Sequence, residues 1–303
     1  MKILNIFLVI GVLVFLSAPS FAQKKKGYVE GEEVRKVQVK VKNKISCGYS
    51  TPIRVAGFVT NPPFGWVTQE PARLDKDKLV YVNNGYAYEL FVKMAKNLNF
   101  KVQNVGYKSY QDALKDLQRG KIDVVTGVYF NKHNLGVGLN LLYPSFMDNP
   151  VVPIFVKGKE KEVKSFADLS NLKGVVRQEE MIYPIIYRQL PKSVQMKQVA
   201  GSKKAFQMLM KGEVDYMLSS LYSAEAEARR FKLIDKLYFS TYALVNPNLF
   251  FAFSSVTECQ KIKGKFAEEL RRLKSNTTEY KKNFINYIDQ WGIDFKDEPG
   301  LEY

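Results

Sequence analysis

The sequence predicts an α/β protein of two similar lobes, each built on its own open sheet. Leu117 begins "LQRGKIDVV" and Leu209 begins "LMKGEVDYM", so a helix end, a glycine stop and a buried strand are written twice in the same order. A helix feeding a strand across a short turn is one unit of an open α/β sheet, and two copies imply two such sheets. The chain has 303 residues, 46% of them apolar or aromatic, which is enough for a sizeable core in one large or two ordinary domains.

In chain order, residues 1–22 read as a cleaved signal peptide. Lys2 precedes the apolar run "ILNIFLVIGVLVFL", and Ser20-Phe21-Ala22 places small residues at the −3 and −1 positions of a cleavage site. The run is short for a membrane span, which disfavours a retained anchor. Residues 23–45 form a polar tail with an edge strand expected over Val37–Val41. "IRVAGFV" (Ile53–Val59) is a continuous apolar run, the mark of a buried strand. Pro62 and Pro63 stop it, because they cannot donate ladder bonds. "ARLDKDKLVYVNN" is a polar insertion with one short strand. Gly85 starts a helix in which Tyr86, Leu90, Met94 and Leu98 recur four apart, and "FKVQNVGY" is the next strand.

In the first copy of the repeat, Ser109 is the expected N-cap. Tyr110, Ala113, Leu114 and Leu117 share a face, and Gly120 supplies the left-handed stop before "KIDVVTG". In the second copy Ser202 caps, Ala205, Phe206, Leu209 and Met210 line the face, and Gly212 stops the helix before "EVDYML". A Tyr-rich helix over Met181–Gln189 lies between the copies, and a helix over Tyr222–Arg230 follows the second. Two amphipathic helices close the chain. Cys259, Ile262, Phe266, Leu270 and Leu273 mark one; Tyr280, Phe284, Tyr287, Ile288 and Trp291 mark the other.

The formal charge is +16, but the lysines are scattered, with some concentration in "QKKK" and "VRKVQVKVKNK". No nucleic-acid motif accompanies them, so the expectation is a solvated basic surface and no nucleic-acid partner. Attraction to an anionic membrane surface or an acidic ligand is the second reading. No stretch after the leader is long and apolar enough to span a membrane, so the mature chain is expected to be soluble and periplasmic. Export to an oxidising compartment allows one pairing, Cys47 with Cys259, and two buried free thiols are the alternative. One histidine and no cysteine pair at ligand spacing argue against a metal site, and no cofactor is expected.

The order of elements is similar to the bacterial extracellular solute-binding proteins of family 3, the periplasmic receptors of amino-acid ABC importers. The matching stretches are "IRVAGFVTNPPF", "GYAYEL", "LQRGKIDVVTG", "FADLSNLKG", "LMKGEVDYML" and "YIDQW", which together cover roughly residues 51 to 292. The resemblance implies the type 2 periplasmic-binding-protein-like fold, two open α/β sheets joined by two crossover strands. Residues 46–149 plus 246–292 would form lobe 1, 150–245 lobe 2 and 293–303 a C-terminal tail. The crossovers are expected near Asn149–Val156 and Thr241–Asn248. It also implies a monomer that takes a small polar ligand, amino-acid-like or carboxylate, between its lobes and closes about the crossovers for an ABC permease or a membrane sensor.

Ligands of open α/β sheets bind beyond the carboxyl ends of strands. That rule selects Asn61, Phe64 and Trp66, then Thr126, Gly127 and Tyr129, then Arg177 and Ser220. The resemblance adds Tyr110, at the position whose ring stacks on the ligand side chain. It gives the Gly127–Val128 backbone the place of an α-carboxylate contact. Three departures stand out. "YFNKHNLGVGLN" holds no Arg for the bidentate carboxylate pair, and neither Lys132 nor His133 can form that fork. Ser220 stands where the family has the Asp that takes the ammonium. Ala87 replaces an acidic residue. Arg177 could compensate from the opposite lobe, and Glu179 and Glu180 could receive an amine. Asp123 and Asp215, the repeated acids, are expected to play matching structural parts. Three functions compete. One is a solute receptor. Another is a degenerate relative acting through a protein partner, with side chains filling its cleft. The least favoured is a dehydratase-type enzyme, for which Glu179, Glu180 and His133 form no recognisable constellation.

Overall fold

The computed structural model describes residues 46–72, 77–130, 139–178, 186–295, 301 and 303. The expected signal peptide, the polar tail, most of the Met181–Gln189 helix, and Lys132, His133, Glu179 and Glu180 lie outside the described residues.

Lobe 1 is built on a six-stranded sheet. Its strands are β1 (Ile53–Ala56), β5 (Val102–Asn104), β6 (Val124–Tyr129), β7 (Leu139–Leu141), β8 (Met147–Asp148) and β14 (Asn248–Ser254). The order is β5-β1-β6-β14-β7, with β8 also on β14. Lobe 2 has a five-stranded sheet in the order β11-β10-β12-β9-β13. These strands are β9 (Val151–Val156), β10 (Lys173–Arg177), β11 (Gln195–Val199), β12 (Tyr216–Ser220) and β13 (Leu237–Phe239). A small antiparallel sheet joins β2 (Thr60–Asn61), β3 (Gly65–Pro71) and β4 (Leu79–Asn84); β4 is the short strand expected in the polar insertion, whereas β2 and β3 were not expected. Its alternation is obscured by the prolines and the polar run between its strands.

The two copies of the repeat fold alike in detail. Helix α1 (Tyr86–Asn97) precedes the first copy, whose helix is α2 (Tyr110–Gln118); the second copy uses α3 (Gly201–Met210). Gly120 and Gly212 both adopt φ +72°, a left-handed conformation that costs other residues about 1–2 kcal/mol. Asp123 accepts from the amide of Arg54 on β1 at 2.9 Å, and Asp215 accepts from the amide of Lys173 on β10 at 2.7 Å. Each acid thereby ties the turn before its strand to the start of the neighbouring strand, the matching structural part that the repetition suggested. Arg54 adds its guanidinium to Asp123 at 2.8 Å.

Some local expectations need correction. β1 ends at Ala56, three residues early, because the amide of Gly57 donates to Asn83 Oδ1 (2.9 Å) and leaves the ladder. Ser109 sits at an N-cap but its hydroxyl makes no cap bond. Ser202 is inside α3 and not at its cap, and it accepts a bond from Arg177. Helix α4 is Leu221–Arg230, α5 is Lys263–Ser275 and α6 is Thr277–Asp294.

The core of lobe 1 is aromatic. Phe91 of α1 stacks on Phe266 of α5 at 4.6 Å, above Phe251 and Phe253 of β14. Helix α2 covers the other face with Ala113 and Leu117 against Val125, Val128 and Ala252. In lobe 2, Phe206 and Leu209 of α3 pack with Val175 and Met217. Helix α6 touches both lobes. Phe284 stacks on Phe64 at 5.2 Å and meets Tyr222 of α4 edge-on at 4.9 Å, and the Arg230 guanidinium lies over Trp291 at 5.3 Å.

Cys47 and Cys259 form a disulfide with Cα atoms 5.3 Å apart, closing a loop of 212 residues. Glu258 accepts from the amides of Ser46 (2.7 Å) and Cys47 (2.8 Å) beside it. Loop-closure entropy for a span of that length is worth about 5 kcal/mol. Reduction, or Cys47→Ser with Cys259→Ser, should lower the melting temperature by roughly 10–15 °C, read by calorimetry. The glycine pair gives a second test. An added Cβ at Gly120 would lie 2.9 Å from Val256 Cγ2, whereas one at Gly212 meets nothing. In urea melts, Gly212→Ala should cost about 1 kcal/mol and Gly120→Ala more.

Candidate functional site

The crossing segments set the site. Val151 donates to Val245 at 2.9 Å, Leu244 to Val151 at 2.8 Å and Asn149 to Pro247 at 3.0 Å, so the chain passes between lobes on two antiparallel strands side by side. The carboxyl ends of β1 and β6 face this crossing from lobe 1, and those of β10 and β12 from lobe 2.

Gly57 leaves the β1 ladder, and Phe58 turns toward β6. There Phe250 pairs with Val128 and Phe251 with Thr126, leaving Gly127 as the extra residue of a bulge at φ +81°. The ring of Phe58 lies directly over it. A Cβ on Gly127 would sit 1.9 Å from Phe58 Cε2. The same ring stacks on Tyr110 at 5.2 Å with planes 23° apart, and reaches Tyr129 at 6.3 Å. Phe58 is 1% exposed. Tyr110 donates its hydroxyl to the Gly127 carbonyl at 3.2 Å, and burial pushes its phenol well above the ordinary value. Tyr129 accepts from Asn149 Nδ2 at 2.9 Å.

The lobes meet through Asn61 and Ser223, whose hydroxyl donates to Asn61 Oδ1 at 3.0 Å with both residues buried. Phe64 and Tyr222 add an edge-on ring contact at 6.2 Å. Among the described residues, the buried polar atoms without a hydrogen-bond partner include Asn61 Nδ2, Thr126 Oγ1 and Asn149 Oδ1.

The expected site residues therefore divide. Tyr110, Gly127 and Tyr129 gather around Phe58. Asn61 and Phe64 lie on the seam. Thr126 is buried on β6, and Ser220 is buried at the start of α4. Trp66 packs edge-on against Trp291 at 5.3 Å and donates to Asp294 at 3.0 Å, which makes it part of the α6 packing. Arg177, 4% exposed, donates to Ser202 at 3.2 Å and acts on Glu227, a carboxylate 3% exposed on α4. Sequence reasoning missed Phe58, Asn149, Ser223 and Glu227. Phe58 sits in an unbroken apolar run and reads as core. Glu227 sits among the charges of "EAEARR", where nothing in the sequence marks it for burial. No group of three or more His, Cys, Asp or Glu able to hold a metal occurs among the described residues.

No protein-family model matches the sequence, and no curated protein matches it. Solved structures do share the fold. The GluR0 ligand-binding core in complex with L-glutamate is 12% identical, with TM-score 0.60, over 80% of this chain and 99% of that one. An amino acid ABC transporter substrate-binding protein from Streptococcus pneumoniae, bound to L-arginine, is 16% identical with TM-score 0.59 over 80% and 97%. A histidine kinase sensor domain similar to periplasmic binding proteins is 16% identical with TM-score 0.58 over 78% and 95%. At these identities the likeness defines the two-lobed periplasmic-binding-protein fold.

Burial holds the Glu227 carboxyl above the usual carboxylate range, although the charges of Arg177 and Arg230 pull it down. Such a group keeps its proton to higher pH in the folded chain than in the unfolded one. Stability is then greatest below the unfolded value of about 4.3 and falls as pH rises through the folded value. Glu227→Gln removes this decline. Between pH 4.5 and pH 7.5 the melting temperature of the variant should fall less than that of the native chain; parallel curves would show that Glu227 titrates normally.

Proposed function

We propose that this chain is an exported, non-enzymatic binding module of the two-lobed solute-binding type, with its place for an α-amino acid filled by its own Phe58. It works by presenting its closed lobes to a protein partner such as a membrane sensor or permease. One observation carries this reading: the Phe58 ring stacks on Tyr110 and covers Gly127, the two places where the resembled receptors hold a ligand side chain and an α-carboxylate. Burying a phenyl ring stabilises by about 2–3 kcal/mol. A ligand that displaced it would start with an affinity penalty of roughly a hundredfold. The absent Arg and the Ser220 substitution agree, since an ammonium and a carboxylate buried without partners are costly. The leader and the disulfide support export. The solved folds named above include both transporter receptors and a kinase sensor domain, which supports either kind of partner.

A second reading has one observation behind it. Among the described residues, Asn61 Nδ2, Thr126 Oγ1 and Asn149 Oδ1 are buried without partners, a pattern that a small polar ligand would satisfy.

Thermal melts of residues 23–303 separate the two. The first reading expects no shift with any amino acid or small carboxylate. It also expects Phe58→Ala to lose about 3–5 kcal/mol and to be stabilised by benzene or phenol entering the vacated space. A carboxylate that raises the native midpoint, with the gain lost in Thr126→Val, would establish the second. A shift with ordinary α-amino acids would overturn the first reading outright. At a hundredfold excess over its dissociation constant, a ligand adds about 2.7 kcal/mol of stability.

A further inference from the structure

Strand β11 lies at the outer edge of the lobe 2 sheet, with β10 on one side and, among the described residues, no strand on the other. Each of its residues, Gln195–Val199, pairs in parallel with β10. The amide of Gln178, which continues β10, donates to the Val199 carbonyl at 2.8 Å. Successive residues of a strand point their peptide groups to opposite sides. Gln195, Lys197 and Val199 therefore bond toward β10, and the N–H and C=O of Met196 and Gln198 point outward. No hydrogen bond among the described residues reaches that outer side. Gln195, Lys197 and Gln198 are exposed and Met196 is half-buried, so the edge is open to solvent.

Other sheet edges are covered. Asn104, at the end of β5, accepts from the Asn83 amide at 3.1 Å and donates to the Tyr81 carbonyl at 3.0 Å, which closes β5 onto β4. Lys263 donates to the Leu141 carbonyl of β7 at 3.1 Å. An edge left unpaired is a template for another strand, and strand addition is a recurring way to bind an extended peptide. Main-chain bonds then give affinity, and pockets beside the edge take alternate side chains. Such a pocket is present. A depression of about 470 Å³ flanks β11, lined by Lys173, Gln195, Met196, Lys197, Glu213 and, from α3, Met208. Methionines at a surface adapt to varied side chains.

Charge selects the occupant. Lys173 and Lys197 line the depression, and Lys192 precedes the strand by one short turn. None of the three has an ion-pair partner among the described residues. Glu213 is the one acid of the lining. A second copy of this chain is disfavoured. Two copies about a two-fold axis would pair Met196 with Gln198 in antiparallel fashion and set Lys197 opposite its twin, and like charges directly opposite are destabilising. Lysine on an edge guards against such self-pairing. The same charge favours a strand that carries an acid opposite Lys197.

We propose that the outer edge of β11 is a docking site for an acidic, extended polypeptide segment of a partner protein, which joins the lobe 2 sheet as an added strand. The site is apart from Phe58 and does not depend on what fills the place beside Tyr110. The test is fluorescence anisotropy of the disulfide-bonded chain, residues 23–303, with a labelled peptide of alternating valine and glutamate. Comparison peptides carry lysine in place of glutamate, or proline at the centre. Amide hydrogen exchange locates the binding. The glutamate peptide should slow exchange at Met196 and Gln198 and bind about tenfold more tightly than the lysine peptide. Lys197→Glu should reverse that preference. Gln198→Pro removes an outward N–H and spares the ladder, so it should abolish binding at a nearly unchanged melting temperature. If that variant melts early, the Lys197→Glu reversal decides. The proposal is overturned if the glutamate peptide does not bind, or if the proline peptide binds equally, which would be attraction of charges alone. It is also overturned if Lys197→Glu leaves the preference unchanged, if the protection maps away from β11, or if Met196 and Gln198 become protected in the chain alone as its concentration rises.

Discussion

The geometry of this protein hangs on two short antiparallel strands. Val151 is bonded to both Val245 and Leu244, and from that point β9 runs into the sheet of lobe 2 while β14 runs into the sheet of lobe 1. Each strand is therefore an interior member of a different sheet, fixed by ladder bonds on both sides. The relative placement of the lobes follows from where these strands enter. The carboxyl ends of β1, β6, β10 and β12 are brought to the same place, where Asn149 bonds Tyr129 and Ser223 bonds Asn61.

What formed there is a hydrophobic closure with a few hydrogen bonds around it. Gly57 gives up its ladder bond to Asn83, the chain turns, and Phe58 is delivered onto Tyr110 above the bulge at Gly127. The ring contributes about 2–3 kcal/mol by burial, against about 0.5–1.5 kcal/mol for a bond such as that between Ser223 and Asn61. The ring thus dominates the local energetics. Under the proposed reading, a phenyl ring in that place needs neither an Arg fork nor an Asp. Helix α6 reinforces the arrangement from outside, since Phe284 packs on Phe64 and Tyr222 together, and Trp291 lies under Arg230. An opening motion would have to break or carry these contacts.

The sequence alone determined the architecture, because its signals are local. Helical stripes, glycine stops and the doubled aspartates each act within a few residues, and Gly120 with Gly212, and Asp123 with Asp215, do the same work in both lobes. It also marked the strand ends that meet at the crossing and the absence of an Arg from "YFNKHNLGVGLN". Of the small sheet only the strand β4 was legible; β2, β3 and their pairing were not, since the pairing spans a polar insertion. Only the tertiary structure decided that Cys47 meets Cys259, that Trp66 and Arg177 are engaged by α6 and by Ser202 and Glu227, and that Phe58 fills the place beside Tyr110. Each of these depends on contacts between residues far apart in the chain. An apolar residue in an apolar run carries no mark of whether its ring supports a core or takes the place of a ligand.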